Sequence, residues 1–283
     1  MEKTEDIAEL KRIAQDIRIE TIKLISKAGS GHPGGSLSTA EIYSVLYFNV
    51  FNFNPKNPKD PNREYFILSK GHGCPAWYAT LALTGAIPKK ELMTERILGS
   101  RPQGHPDMHR FPFVEMSTGS LGQGLSIAVG IALGLKLKDK PNKVFCILGD
   151  GEIDEGNVWE AAMFAPHHKL NNLIAIIDRN QVQQEGLCND ILNTEPLDEK
   201  WKAFGWDTYR VDGHDVESLL RAFNRALESE RPVMIVADTV KGKGVSFMEL
   251  NPEFHGKAPN AEETKLALAE LEKTKNEIEK SSD

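Results

Sequence analysis

Two short apolar runs, residues 143–148 and 173–177, constrain this chain more than any other feature of its sequence. Each is too short for a helix of ordinary length and lacks the polar alternation of a half-exposed strand. Both therefore read as strands buried on two faces of a parallel sheet. Parallel neighbours need a crossover, and residues 155–170 supply a helical one. Each run ends in a polar cluster, Gly149-Asp150-Gly151 after the first and Asp178-Arg179-Asn180 after the second. The carboxyl edge of such a sheet is where ligands bind. The expected fold class is α/β, a parallel sheet with helices on both faces and a site at that edge.

The clusters carry hard oxygen donors. Asp150 offers a carboxylate, Asn180 an amide oxygen and Val182 its backbone carbonyl, a set that suits magnesium better than zinc and leaves room for phosphate oxygens and water. Gly149 and Gly151 allow a sharp turn close to phosphates, and the helix that follows presents free N–H groups to an anion. Gly-Asp-Gly alone is equally a common turn. The second strand, ending at Asn180, is what favours the ligand reading.

The span from Gly149 to Asn180 resembles the cofactor motif of thiamine diphosphate enzymes. Four further segments narrow the resemblance to the transketolase family: Ser30-Gly31-His32-Pro33-Gly34-Gly35, Ser69-Lys70-Gly71-His72-Gly73, Gly104-His105-Pro106 with the run 118–124, and Phe254-His255-Gly256. They stand in the family's order, and the likeness extends from about residue 8 to residue 260.

What the resemblance implies is specific. The cofactor is thiamine diphosphate with Mg2+ or another divalent cation held by Asp150, Asn180 and Val182. His32, His105 and His255 act on substrate, with His255 also touching cofactor, while His72 stands nearest the diphosphate. Gly119, Ser120 and Leu121 line the thiazolium site beside Gly149, Asp150, Gly151 and Asn180. Lys243 contacts cofactor or substrate, although the sequence does not fix whether it or Lys241 points inward. Glu155, catalytic and cofactor-binding in this reading, sits at a domain contact and supports the activating glutamate of another domain. Taken singly, each histidine is equally a solvated or helix-capping residue. His109, His167, His168 and His214 match no family segment, and the His167-His168 pair reads as an exposed helix end.

A full-length transketolase resembles this chain followed by a pyrimidine-binding domain and a third domain. With 283 residues, one domain is expected here, a diphosphate-binding unit over 1–260 with an exposed helical tail over 261–283. The expected partner is a C-terminal transketolase subunit carrying the pyrimidine-binding domain, in an α2β2 assembly. Together they would move a two-carbon ketol unit between sugar phosphates, from xylulose 5-phosphate to ribose 5-phosphate, in the pentose phosphate pathway. Open alternatives are a related enzyme of another ketose, a component of a 2-oxoacid dehydrogenase, and a non-catalytic regulatory binding protein.

The remaining pattern is organisational. Residues 4–28 and 38–48 read as helices, the second opened by a hydroxyl cap, and 52–63 as a surface loop. Residues 121–138 form a glycine-bearing helix whose apolar run, broken by Ser126 and ended by lysines, is too short to span a membrane. A net charge of −7 disfavours nucleic acid and membrane surfaces as partners. Three widely spaced cysteines and a charged amino-terminal segment fit a cytoplasmic protein without a disulfide framework.

Overall fold

The computed structural model describes residues 3–282. Chain order is α1 (Ile7–Ala28), α2 (Pro33–Leu37), α3 (Ala40–Val45), β1 (Tyr65–Leu68), α4 (Cys74–Leu83), α5 (Lys89–Leu92), α6 (Gln123–Leu137), β2 (Val144–Gly149), α7 (Gly156–His167) and β3 (Leu173–Arg179). It continues with α8 (Cys188–Ile191), α9 (Leu197–Phe204), β4 (Asp207–Asp212), α10 (Val216–Glu228), β5 (Val233–Asp238) and α11 (Ala261–Ser282). The five strands pair in the order β1-β2-β3-β5-β4, every pair parallel.

The sequence explains the layers. Alternate strand residues face opposite sides. Phe145, Ile147, Ile174, Ile176, Val233 and Ile235 join one core with α1, α3, α4 and α10. Val144, Cys146, Leu148, Leu173, Ala175 and Ile177 join a second core with α6, α7 and α9. Both faces are covered, which is why β2 and β3 are apolar at nearly every position rather than at every other one.

Several expected elements shift. The helix expected over 38–48 is instead α3 followed by a π-helical turn, Leu46–Val50. The N-cap of α3 is Thr39 rather than Ser38, whose hydroxyl donates to Asp178 Oδ2 at 2.7 Å. The tail is helical, as expected, but not simply exposed. Ala267 and Leu271 of α11 are fully buried against Ile19 and Ile22 of α1, and Lys275 bonds Asp16 at 2.7 Å. Their aliphatic side chains drive the packing that the charged composition concealed. No helix among the described residues is long and apolar enough to cross a membrane.

Candidate active site

At the carboxyl edge, a cavity of about 320 Å3 is lined by residues from seven segments, among them Lys70, His72, Asp150, Asn180, Lys241 and His255. Register places them. Gly149 at the end of β2 pairs with Asp178 at the end of β3, so Gly149-Asp150-Gly151 and Asn180 emerge side by side. Asp150 accepts from the Gly151 N–H at 2.9 Å and the Gln181 N–H at 2.5 Å. Burial, then the neighbouring charge of Asp178, pushes Asp150 up to about 6. Lys241 lowers it only in part, and a divalent cation would lower it further.

Asp178 is the hub beneath. It is fully buried and accepts from Lys70 Nζ at 2.5 Å, Ser38 Oγ at 2.7 Å, Asn180 Nδ2 at 2.8 Å and Thr239 Oγ1 at 2.5 Å. Burial alone would raise it, but the Lys70 ammonium and these hydrogen bonds hold it below the usual carboxylate range. Because the Asn180 amide nitrogen is committed to Asp178, its oxygen is left on the Val182 side, where it accepts from the Val182 N–H at 3.3 Å. Asp150, Asn180 and Val182 thus line one cavity. Among the described residues, no cluster of three or more histidine, cysteine, aspartate or glutamate side chains could hold a metal instead.

Of the two candidate lysines, Lys241 enters the cavity and Lys243 does not. Lys241 is 3 % exposed, and its Nζ lies 2.7 Å from both the Val182 carbonyl and His255 Nδ1. Burial, with Lys70 nearby, pushes it down to about 8. Lys243 is partly exposed, 3.8 Å from Glu249. The turn between them explains the choice. Gly242 has φ +80, and its N–H donates to the Gly34 carbonyl at 3.0 Å, locking the loop over α2.

The four family-matched histidines converge. The His32 ring centroid lies 5.2 Å from that of His72, 5.6 Å from His255 and 6.3 Å from His105, with His72 and His255 5.4 Å apart. Burial, then Arg96, His105 and Lys241, pushes His32 down to about 4. Burial and Lys241 do the same to His255. His72 and His105 are lowered by burial, with Lys70 and Arg96 respectively as the next cause. All four imidazoles are therefore neutral near pH 7, able to donate or accept. Among the described residues, His32 Nδ1 is buried without a hydrogen-bond partner.

The remaining expected residues divide. Leu121 lines the cavity, and Gly119, at φ +147, packs so closely on His105 that a β-carbon would come within 2.7 Å of it. Ser120 is exposed and does not line the cavity. Glu155 lies exposed at the rim. The buried acid is instead Glu152, which accepts from Gly122 N–H at 2.9 Å, Gly149 N–H at 3.0 Å and the Ser69 hydroxyl. It ties three loops of the site together. Sequence reasoning missed Glu152, Lys70, Asp178 and Arg96. The first three stand inside or beside the motifs, whereas Arg96 had no signal. His214, unassigned from sequence, bridges Glu41 at 3.0 Å and the Val240 N–H at 2.9 Å, linking the buried Arg18–Glu41 pair to the Lys241 loop.

A parallel α/β sheet with buried carboxylates, lysines and neutral histidines at its carboxyl edge defines a class of proteins that bind anionic, phosphate-bearing ligands there. Within that class, the family described as "Transketolase, thiamine diphosphate binding domain" matches residues 9–277, and the chain belongs to it. It is 45 % identical over 271 residues to the 6-deoxy-6-sulfo-D-fructose transketolase subunit SqwG of a Clostridium species, covering 95 % of this chain and 98 % of that one. It is 42 % identical over 264 residues to an apulose-4-phosphate transketolase subunit of Actinobacillus succinogenes, covering 93 % and 96 %. The crystal structure of Campylobacter jejuni transketolase superposes with a TM-score of 0.85 at 30 % identity, covering 97 % of this chain but 48 % of that one. The chain thus spans nearly all of these subunit-type relatives and about half of that transketolase chain.

Proposed function

We propose that this chain is the diphosphate-binding subunit of a two-chain transketolase, which with a partner carrying the pyrimidine-binding domain transfers a two-carbon ketol unit between sugars. The observation that carries this reading is the convergence of Asp150, Asn180 and Lys241 with four neutral histidines in one cavity region. Asp150, Asn180 and the Val182 carbonyl would hold Mg2+ or another divalent cation. That carbonyl already accepts from Lys241, and its second lone pair remains available. Lys241 and His72 would hold the diphosphate.

When bound, thiamine diphosphate supplies the carbanion that attacks a ketose carbonyl. This chain's own contribution is positioning and proton handling. His32 and His255, kept neutral by burial and adjacent cations, can take a proton from a sugar hydroxyl or donate to a developing alkoxide. Glu155, exposed at the rim, would support the activating glutamate of a partner domain. Lys70 is committed to Asp178 and to the Gly35 carbonyl, so it shapes the pocket.

The donor sugar is the open part of the proposal. Xylulose 5-phosphate and ribose 5-phosphate are the pair the family resemblance suggests; the two subunit-type relatives are named for sulfofructose and apulose 4-phosphate, which favours a second reading with a different ketose. The test is ketol transfer with Mg2+ and thiamine diphosphate, comparing the chain alone with the complex it draws from its native extract, across these three donors. Activity only in the complex supports the two-chain enzyme; activity of the chain alone would overturn it.

A further inference from the structure

Beyond the end of β5 the chain leaves the sheet and still delivers Lys241 into the cavity, with its backbone held at every step. The N–H groups of Thr239, Lys241, Gly242 and Lys243 donate to the carbonyls of Arg179, Asn180, Gly34 and Val240, at 3.0, 3.2, 3.0 and 3.1 Å. Val240 differs. Its N–H donates to a side chain, His214 Nε2, at 2.9 Å.

The loop joining β4 to α10 brings His214 there. The Gly213 N–H donates to the Asp238 carbonyl at 2.8 Å, the Asp212 side chain accepts from the His214 N–H at 2.8 Å, and Asp215 caps α10. A β-carbon on residue 213 would come within 2.4 Å of Thr239 Cγ2. Glycine allows that approach, and the approach sets the His214 ring alongside Val240 instead of in water. The ring is 13 % exposed.

Its two partners fix where its proton sits. Burial would raise Glu41, but the Arg18 guanidinium, 2.6 Å away, and the His214 hydrogen bond hold it down to about 2. Glu41 is therefore ionised and can only accept. His214 Nδ1, 3.0 Å from it, carries the proton. The Val240 N–H can only donate, so Nε2 presents a lone pair. One species meets both demands, the neutral Nδ1–H tautomer. The other tautomer fails at both ends, and an imidazolium fails at Val240.

We infer that His214 is a positioning residue, a neutral strut that carries the fixed geometry of the buried Arg18–Glu41 pair to the residue next to Lys241. Through it, Lys241 Nζ is set against the Val182 carbonyl and His255 Nδ1. The need for a strut is electrostatic. Burial and the neighbouring Lys70 both oppose an ammonium at that place, so an untethered segment would let Lys241 swing toward water. His214 itself does not line the cavity. That this placement serves a diphosphate rests on the proposed function; the placement itself does not.

The full chain, labelled with 15N-histidine, is examined at pH 8, where an ordinary histidine is neutral. Nδ1 of His214 should be protonated and Nε2 not; the opposite tautomer or a charged ring overturns the strut. In His214→Phe the Val240 amide should exchange with solvent about tenfold faster or more while β3 and β5 amides keep their rates. The His255 Nδ1 resonance should move in the same variant as Lys241 withdraws. An unmoved resonance, or faster exchange throughout β5, overturns the proposal, the latter because His214 would then only support the fold. By calorimetry, Mg2+-dependent thiamine diphosphate affinity should fall about tenfold, and the His214→Phe, Lys241→Met double variant should bind no more weakly than Lys241→Met alone. Additive losses would mean that His214 does not act through Lys241. Gly213→Ala, which displaces the loop and leaves the ring chemistry intact, should reproduce the exchange and His255 changes, and it decides if His214→Phe does not fold. A wild-type chain that binds no thiamine diphosphate sinks the proposed function, while the spectra and exchange rates still judge the strut.

Discussion

The floor of the site and its mouth are built on opposite principles. At the floor, Asp178, Lys70, Asn180, Thr239 and Ser38 satisfy one another within a closed network. At the mouth, His32 Nδ1, Arg96 and Thr118 present buried polar atoms that nothing among the described residues satisfies. A closed network specifies one arrangement; an open one waits for something to complete it. Under the proposed function, the difference teaches that the cofactor end would be fixed by this chain before anything binds, whereas the substrate end would be arranged for a visitor.

The sharpest way to break this contrast is at Asp150. Replacing it with Ala should reduce Mg2+-dependent thiamine diphosphate affinity about a hundredfold or more, read by calorimetric titration; wild-type affinity would refute its role. His32→Ala is the complement. It should lower turnover of the assembled enzyme by about 10²-fold or more while cofactor affinity changes little. An equal loss in both would erase the distinction between floor and mouth.

A third experiment strikes the network itself. Lys70→Met leaves the Asp178 charge buried and unpaired, and breaking such a pair costs about 3–5 kcal/mol, visible as a lower urea midpoint. An unchanged midpoint would mean that the floor is not a rigid element. A smaller effect separates the two lysines. Lys241→Met should weaken cofactor binding about tenfold, and Lys243→Met should alter it less than about twofold in the same titration.

The smallest effect is a pH dependence. His32 and His255 titrate near 4 when folded and near 6.5 when unfolded. Between those values the unfolded chain binds more protons, so their contribution is complete above about pH 6.5 and is lost as pH falls toward 4. Asp150, raised when folded, acts in the opposite sense. Urea midpoints of wild type and a His32→Asn, His255→Asn double variant isolate the histidine part: the variant should lose less stability between about pH 7 and pH 5. Parallel curves would contradict the buried-neutral assignment.

The strands that carry the site were legible because burial on both faces leaves an unmistakable apolar run, and Gly149 to Asn180 is a local motif with its own spacing. The four histidines were legible through glycine-punctuated segments. Lys241 and Lys243 were not separable, since their difference arises from the Gly242 turn and its tether to Gly34, a contact between segments far apart in the chain. Glu152 was hidden by its neighbours, as Asp150 and Glu155 drew the attention due to acids beside a glycine turn. Arg96 had no signal at all, because what sets it beside His105 is a left-handed backbone, φ 62, and the absence of a side chain at Gly104. The tail was misjudged in exposure because Ala267 and Leu271 are few among many charges.

The clasp of α11 on α1 reaches into the history of the molecule as it is made. Lys275 and Asp16 are 259 residues apart in the chain, so α1 emerges from the ribosome long before its cover exists. Until α11 and the 245–254 segment arrive, the Ile19 and Ile22 face is bare hydrophobic surface on a nascent chain, open to wrong partners. The segment that positions His32 follows α1 directly and depends on it, which makes the earliest part of the site dependent on a helix synthesised far later.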